Sequence, residues 1–176
     1  TCFADREGAI AAPTAGLHFT PELMVRLRDR GVETAVVTLH VGPGTFKPVV
    51  VERIEDHQMG SEWFEVSERT VEAIFKTKRA GGRVIAVGTT AVRALETAAQ
   101  QAGGLQTAVG ESRLFISPGF HFNVVDALMT NFHLPRTTLL MLVSALAGVE
   151  MMRKAYAEAV EQRYRFYSYG DAMLIL

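Results

Sequence analysis

Four glycine- or proline-bearing segments carry side chains suited to proton transfer or anion binding. Loops of that composition, held by regular elements, are where function concentrates. The first is APTAGLHFT, with His18; alone, that histidine reads equally as one packed near a helix start. The second is TLHVGPGTFKPV. Gly42 and Gly44 let a backbone approach a ligand, His40 stands at the carboxyl end of a strand-like run, and Lys47 adds a cation. An ordinary tight connection is the competing reading. Just downstream, His57, Ser61 and Glu62 (HQMGSE) supply an acid/base pair.

The third segment is VIAVGTTAVRALE. A buried strand runs through Gly88, Thr89 and Thr90 into a helix whose free N–H groups favour a carboxylate or phosphate. Thr89 or Thr90 is the expected cap, and Arg93, one turn in, is the expected carboxylate clamp. Against this stands a plain surface pair of Arg93 with Glu96 at i,i+3. One glycine is no dinucleotide fingerprint. The fourth is FNVVDALMTNFHLPRTTLLM. Asp126, Asn131, His133 and Arg136 abut an apolar helix there, which is costly unless they are paired or used. The histidines form no HExxH or other compact metal motif, so no metal is expected. In the tail, Arg163, Tyr164, Arg165, Phe166, Tyr167 and Tyr169 interleave charge and aromatic rings, a pattern suited to RNA as well as to a packed terminus.

These segments must be positioned by an α/β scaffold. Thr20-Pro21-Glu22 opens a helix that Gly31 closes, and Val32–Val41 reads as a buried strand. Glu62–Val66 alternates as a strand, and Ser67 caps a helix ending at Gly81-Gly82. Arg83–Val87 is a second buried strand, followed by a helix to about Gln101. Residues 102–111 read as loop, Leu114–Ile116 as a short strand, and 124–129 as strand or turn. Helices follow over Leu139–Ala147 and about Met151–Arg163, then a strand-like end; the opening residues to Ala12 are weakly strand-like. Strands alternating with helices predict an α/β fold with a mostly parallel sheet and helices packed on it.

Composition narrows the class. With 48% apolar and 21% charged residues in 176, the chain can bury a core and is neither disordered nor a coiled coil. A net charge of −1 gives no global field for a polyanion, so RNA would need a local basic patch. Cys2 is the single cysteine, which excludes an internal disulfide and fits a reducing cytoplasm. The longest apolar run, around LLMLVSALA, is too short to span a bilayer, so no membrane association is expected. The chain opens on Thr1 without a signal pattern, and the reading is that it starts inside a longer protein.

Taken in order, AAPTAGLHFT, TLHVGPGTFKPV, AVGTTAVRALE, LFISPGFHFNVVDALMTNFHLPRTTLLMLVSALAG and YRFYSYGDAMLI resemble the C-terminal half of the S-adenosylmethionine:tRNA ribosyltransferase-isomerases of queuosine synthesis. TNFHLP followed by TTLLMLVSA, and the closing SYGDAMLI, are the most specific. The resemblance implies that residues 1–176 are the C-terminal part of a large α/β catalytic domain. An N-terminal portion, with a small inserted β-barrel-like domain, would be missing, and the fragment would be inactive alone and prone to self-association.

The implied reaction moves the ribosyl moiety of S-adenosylmethionine to 7-aminomethyl-7-deazaguanine in a tRNA with a GUN anticodon. It yields epoxyqueuosine, adenine and methionine. S-adenosylmethionine is then a co-substrate, and no cofactor is expected. Such chemistry needs a base beside the sulfonium, an acid for departing adenine, a carboxylate clamp and a surface for a flipped-out base. His18, His40, His57 and His133 are the acid/base candidates, with Asp126 or Glu62 orienting a histidine or facing the sulfonium. Gly42, Gly44, Gly88, Thr89, Thr90, Arg93 and Asn131 are the substrate-binding candidates, and Lys47, Arg136 and Arg165 the RNA contacts. The alternatives are an S-adenosylmethionine-dependent methyltransferase, for which only Gly88 stands in a comparable place, and a non-catalytic RNA-binding domain resting on the tail.

Overall fold

The computed structural model describes residues 1–42, 51 and 53–176. A 3-10 turn, Thr14–His18, precedes helix α1 (Pro21–Asp29) and strand β1 (Val37–His40). Then come β2 (Glu62–Val66), α2 (Glu68–Arg79), β3 (Ile85–Val87), α3 (Thr89–Ala99) and β4 (Ala108–Ser112). Last are β5 (Ala127–Asn131), α4 (Thr138–Ala147), α5 (Val149–Glu161) and β6 (Ala172–Ile175).

Helix starts obey local rules. The hydroxyls of Thr20, Ser67 and Thr137 accept the N–H groups of Leu23, Thr70 and Leu140, capping α1, α2 and α4. Helix α3 differs: its N-cap is Gly88, at φ 92 and ψ 143, with no side-chain cap. Neither Thr89 nor Thr90 takes the capping role, because the chain turns one residue earlier in a conformation reserved for glycine.

The strands form two three-stranded sheets rather than one. In the order β1-β2-β4, both pairings are antiparallel, with Leu39 opposite Phe64 and Phe64 opposite Gly110. In the order β3-β5-β6, β3 and β5 are parallel while β5 and β6 are antiparallel. The expectation of a mostly parallel sheet is therefore corrected: among the described residues one ladder of four is parallel. Among the described strands only β3 and β5 are parallel neighbours, and the connection between them contains helix α3.

Helix α3 packs against strands of both sheets. Its alanines permit close approach, and Val92, Ala94, Leu95 and Ala98 enter the common core with Phe64, Val66, Leu128, Leu142 and Val143. Strand β2 shows period-two burial: Glu62, Phe64 and Val66 face inward. That alternation forces Glu62 into the interior.

Three further boundaries differ from the sequence reading. Residues 1–12 contain no strand, and 114–116 are irregular although Ile116 is 2% exposed. Conversely, the polar stretch read as loop contains β4. As an edge strand with Val109 exposed, β4 carries too little apolar residue on either face to be legible.

Candidate active site

The parallel pair fixes the location. Gly88 N–H donates to Met129 O at 2.8 Å, one step beyond the β3–β5 ladder, and the two chains then part. One enters α3; the other continues through Asn131, Phe132 and His133 to Pro135. The crevice where they diverge, at the carboxyl ends of parallel strands, is a standard position for a ligand. The 3-10 turn closes one side, where Ala15 Cβ stands 3.7 Å from the place a Cβ on Gly88 would occupy. Val41, just after β1, and the turn at Tyr167 and Ser168 close the others. The result is a cavity of about 130 Å³. It is lined by 12–15, Val41, 88–90, Thr130 and Asn131, 133–135, Thr137, Leu139, Tyr167 and Ser168.

Its polar groups come mainly from the end of β5. Asn131, 2% exposed, donates through Nδ2 toward Tyr167 O at 3.2 Å, Gly170 O at 3.4 Å and His18 Nε2 at 3.3 Å. Its Oδ1 is buried and has no partner among the described residues. A carbonyl oxygen left this way is costly and marks a place where a donor is wanted. His133 is 9% exposed, with Nε2 3.0 Å from Thr130 Oγ1. Burial lowers its pKa to about 4, so the imidazole is neutral at physiological pH. It offers a hydrogen-bonding ring rather than a resident positive charge. The first N–H groups of α3, which no earlier turn can satisfy, face the same edge. Tyr167 holds a left-handed backbone at φ 74, an uncommon conformation for a non-glycine residue.

The sequence candidates divide into four groups. Gly88, Thr89, Thr90, Asn131 and His133 line the cavity. His18, Gly42, His40 and Arg136 adjoin it without lining it. His18 touches Asn131, and Gly42 follows lining Val41. His40 precedes Val41; its ring lies 4.7 Å from that of Trp63, and its buried Nδ1 has no partner among the described residues. Arg136 is exposed at φ 56 between Pro135 and Thr137, which both line the cavity. Gly44 and Lys47 lie outside the described residues.

The remaining candidates lie elsewhere in the fold, away from the cavity lining. Arg93 is 3% exposed and does not reach the cavity. Its Nη1 donates to Glu62 Oε2 at 2.5 Å, its Nε to Leu114 O at 3.1 Å and its Nη2 to Ser112 O at 3.4 Å. Its fork is thus spent on Glu62 and two backbone carbonyls, away from the place where a carboxylate clamp was expected. Arg93 does not pair with Glu96. That residue, fully buried, accepts the N–H groups of Asn123, Val124 and Val125 at 2.8, 3.0 and 3.0 Å. Glu62 is Arg93's counter-ion and does not line the cavity. Burial raises its pKa and lowers that of Arg93, each against the other's charge. Asp126 stands before β5, at the opposite edge of the sheet, where it accepts Val84 N–H at 2.7 Å and pairs with Lys78 at 2.5 Å. His57 packs its ring 5.5 Å from that of Phe115, away from the cavity. Arg165 is exposed but engaged with Asp171 at 2.9 Å.

Sequence reasoning missed Thr130, Tyr167 and Ser168 as cavity residues, and Tyr156. The hydroxyl of Tyr156 meets the His133 backbone at 2.8 and 3.2 Å. A tyrosine midway along an amphipathic helix carries no signal of that contact; only the preceding NFHLP stretch pointed to the neighbourhood. No group of three or more histidine, cysteine, aspartate or glutamate residues suited to a metal gathers among the described residues. No helix among them is long and apolar enough to cross a membrane.

Fold and cavity together define an α/β domain with a small cavity at the carboxyl edge of a parallel strand pair. The chain belongs to the queuosine biosynthesis protein family, whose model matches residues 1–175. It is 61% identical over 175 residues to the S-adenosylmethionine:tRNA ribosyltransferase-isomerase of Pelobacter propionicus, covering 99% of this chain and 51% of that protein. It is 61% identical over 176 residues to the protein of that name from Nostoc, covering 100% and 44%. The crystal structure of a Thermotoga maritima S-adenosylmethionine tRNA ribosyltransferase superposes with a TM-score of 0.77 at 49% identity, over 93% of this chain and 51% of that one. The chain thus spans about half the length of the relatives it matches.

Proposed function

We propose that this chain is the part of an S-adenosylmethionine:tRNA ribosyltransferase-isomerase that binds S-adenosylmethionine at the β3–β5 edge. The reaction transfers the ribosyl moiety to 7-aminomethyl-7-deazaguanine in a tRNA with a GUN anticodon, in the cytoplasm, and releases adenine and methionine. S-adenosylmethionine is consumed as a co-substrate and no cofactor is required. The observation that supports this reading best is that the two motif segments, 88–90 and 130–135, converge on one cavity in a chain 61% identical to a relative of that name.

The cavity's roles follow from its polar groups. The amino end of α3 and its Gly88 turn receive the methionine carboxylate, in place of the expected arginine clamp. Asn131 Oδ1 accepts a donor from the ligand. His133, neutral, takes a proton rather than donating one from a charged resting state. His18, held by Asn131, is the second imidazole within reach of the edge. A volume of about 130 Å³ is below the ~300–1,000 Å³ typical of a complete small-molecule site, so other parts of the full-length protein complete the walls. Exposed Ile85 and Leu174 on the second sheet, with Leu176 just after it, favour self-association of the isolated chain.

The test is incubation of the full-length protein with S-adenosylmethionine and precursor tRNA. Adenine and methionine released in equal amounts are expected. S-adenosylhomocysteine would establish methyl transfer instead, and tRNA binding without S-adenosylmethionine binding would leave an RNA-binding domain.

A further inference from the structure

The cavity contains a supporting device that lies outside both motif segments. Strand β5 is partnered by β6 only as far as the Asn131–Ala172 pair. Beyond that point the backbone of Phe132 and His133 has no strand beside it among the described residues, and both residues are buried. Buried backbone groups must find partners. Phe132 finds them in the tail: its N–H donates to Asp171 O at 3.3 Å, and its carbonyl accepts Tyr167 N–H at 2.9 Å. For His133 both partners are the same atom. Tyr156 Oη accepts the His133 N–H at 2.8 Å and donates its own proton to the His133 carbonyl at 3.2 Å. One phenol, reaching from α5, does for this residue what a neighbouring strand does for the rest of β5.

We propose that Tyr156 is a positioning residue for His133, fixing through its hydroxyl the backbone from which the cavity-lining imidazole projects. This rests on the reading of the cavity as the S-adenosylmethionine site. Two observations mark the hydroxyl, rather than the ring, as the operative group. The ring already has abundant support from Phe132 and Phe166, at centroid distances of 5.5 and 5.6 Å, so packing alone would be met by phenylalanine. The hydroxyl, in contrast, is used twice on a single residue. It also keeps its proton, since burial raises its pKa to about 12, and a phenolate could not donate to the carbonyl. The imidazole depends on this frame because, among the described residues, its ring bonds only to Thr130 Oγ1, three residues back near the end of β5. A rotation of the His133 peptide breaks that geometry and carries the ring away from the cavity.

The experiment compares Tyr156→Phe and Tyr156→Leu in the full-length protein. Tyr156→Phe keeps the aromatic cluster and removes only the hydroxyl. It is expected to lower kcat for adenine release at least roughly tenfold, with KM for S-adenosylmethionine changed less than about threefold. The ¹⁵N signals of the His133 ring, followed by pH titration, give a readout independent of turnover. In Tyr156→Phe their midpoint should rise toward the ordinary histidine range as the ring relaxes into solvent. If Tyr156→Phe retains both kcat and the His133 titration while Tyr156→Leu loses stability, the residue only packs and the proposal is overturned. If the unmodified protein releases no adenine, the functional reading fails, and the ring titration alone still decides whether Tyr156 positions His133.

Discussion

Replacing Arg93 by methionine separates a structural ion pair from a substrate clamp. The guanidinium is 4% exposed and the Glu62 carboxylate 6%, joined at 2.5 Å. Removing the arginine leaves Glu62 buried with no cation, its Oε1 already lacking a partner among the described residues, and strips donors from the carbonyls of Leu114 and Ser112. Breaking one side of such a pair costs about 3–5 kcal/mol. At about 2–4 °C per kcal/mol for a chain of this size, the melting temperature should fall by about 6–20 °C. Joint replacement, Arg93→Met with Glu62→Leu, removes both charges and should recover most of that loss, because the desolvation of each ion disappears with it. Thermal and urea unfolding of the two single variants and the double variant complete the cycle. The reasoning is refuted if Arg93→Met unfolds like the unmodified protein while S-adenosylmethionine binding is lost; the side chain would then be a clamp after all.

Three further outcomes are expected. Glu96→Ala leaves three backbone N–H groups at 123–125 without their acceptor and should destabilise by about 3–5 kcal/mol in urea titration, whereas Glu96→Gln retains one amide oxygen and should cost distinctly less. Stability should fall in acid through His133: its folded-state pKa of about 4 lies below the 6.5 of the unfolded chain, so its contribution is complete above pH 6.5 and lost as pH falls toward 4. The full effect is about 3 kcal/mol, and His133→Gln should flatten the unfolding free energy over that window; an unchanged slope would count against the burial of a neutral ring. Gly170→Ala should disrupt the tail turn, since a Cβ there would clash with the Arg165 carbonyl oxygen; the check is loss of adenine release with α-helical circular dichroism retained, and normal turnover would show that the turn adapts.

Much of the scaffold was legible because its signals are local. Thr20-Pro21, Ser67 and Thr137 cap helices by contacts within one turn, and the alternation of Glu62–Val66 reports its own buried face. The Gly88 turn and the NFHLP stretch were legible for the same reason: glycine at positive φ and polar residues beside an apolar helix are visible in a few residues of sequence. Even so, the local rule misassigned the α3 cap to a threonine.

What tertiary structure decided is partnership across distance. A charged side chain looks the same in sequence whether it meets a ligand or another side chain, and only the fold brought Glu62 to Arg93 across 31 positions and Lys78 to Asp126 across 48. Sheet orientation was hidden likewise, since hydrogen-bond direction between strands leaves little mark on either strand alone. The sequence thus determined which segments could hold chemistry, through backbone preferences and composition. The three-dimensional packing determined which of their polar groups were already satisfied, and so left Asn131 and His133, rather than Arg93, Glu62 or Asp126, at the cavity. Hydrogen bonds and desolvation act through space, and a chain order does not state who stands beside whom.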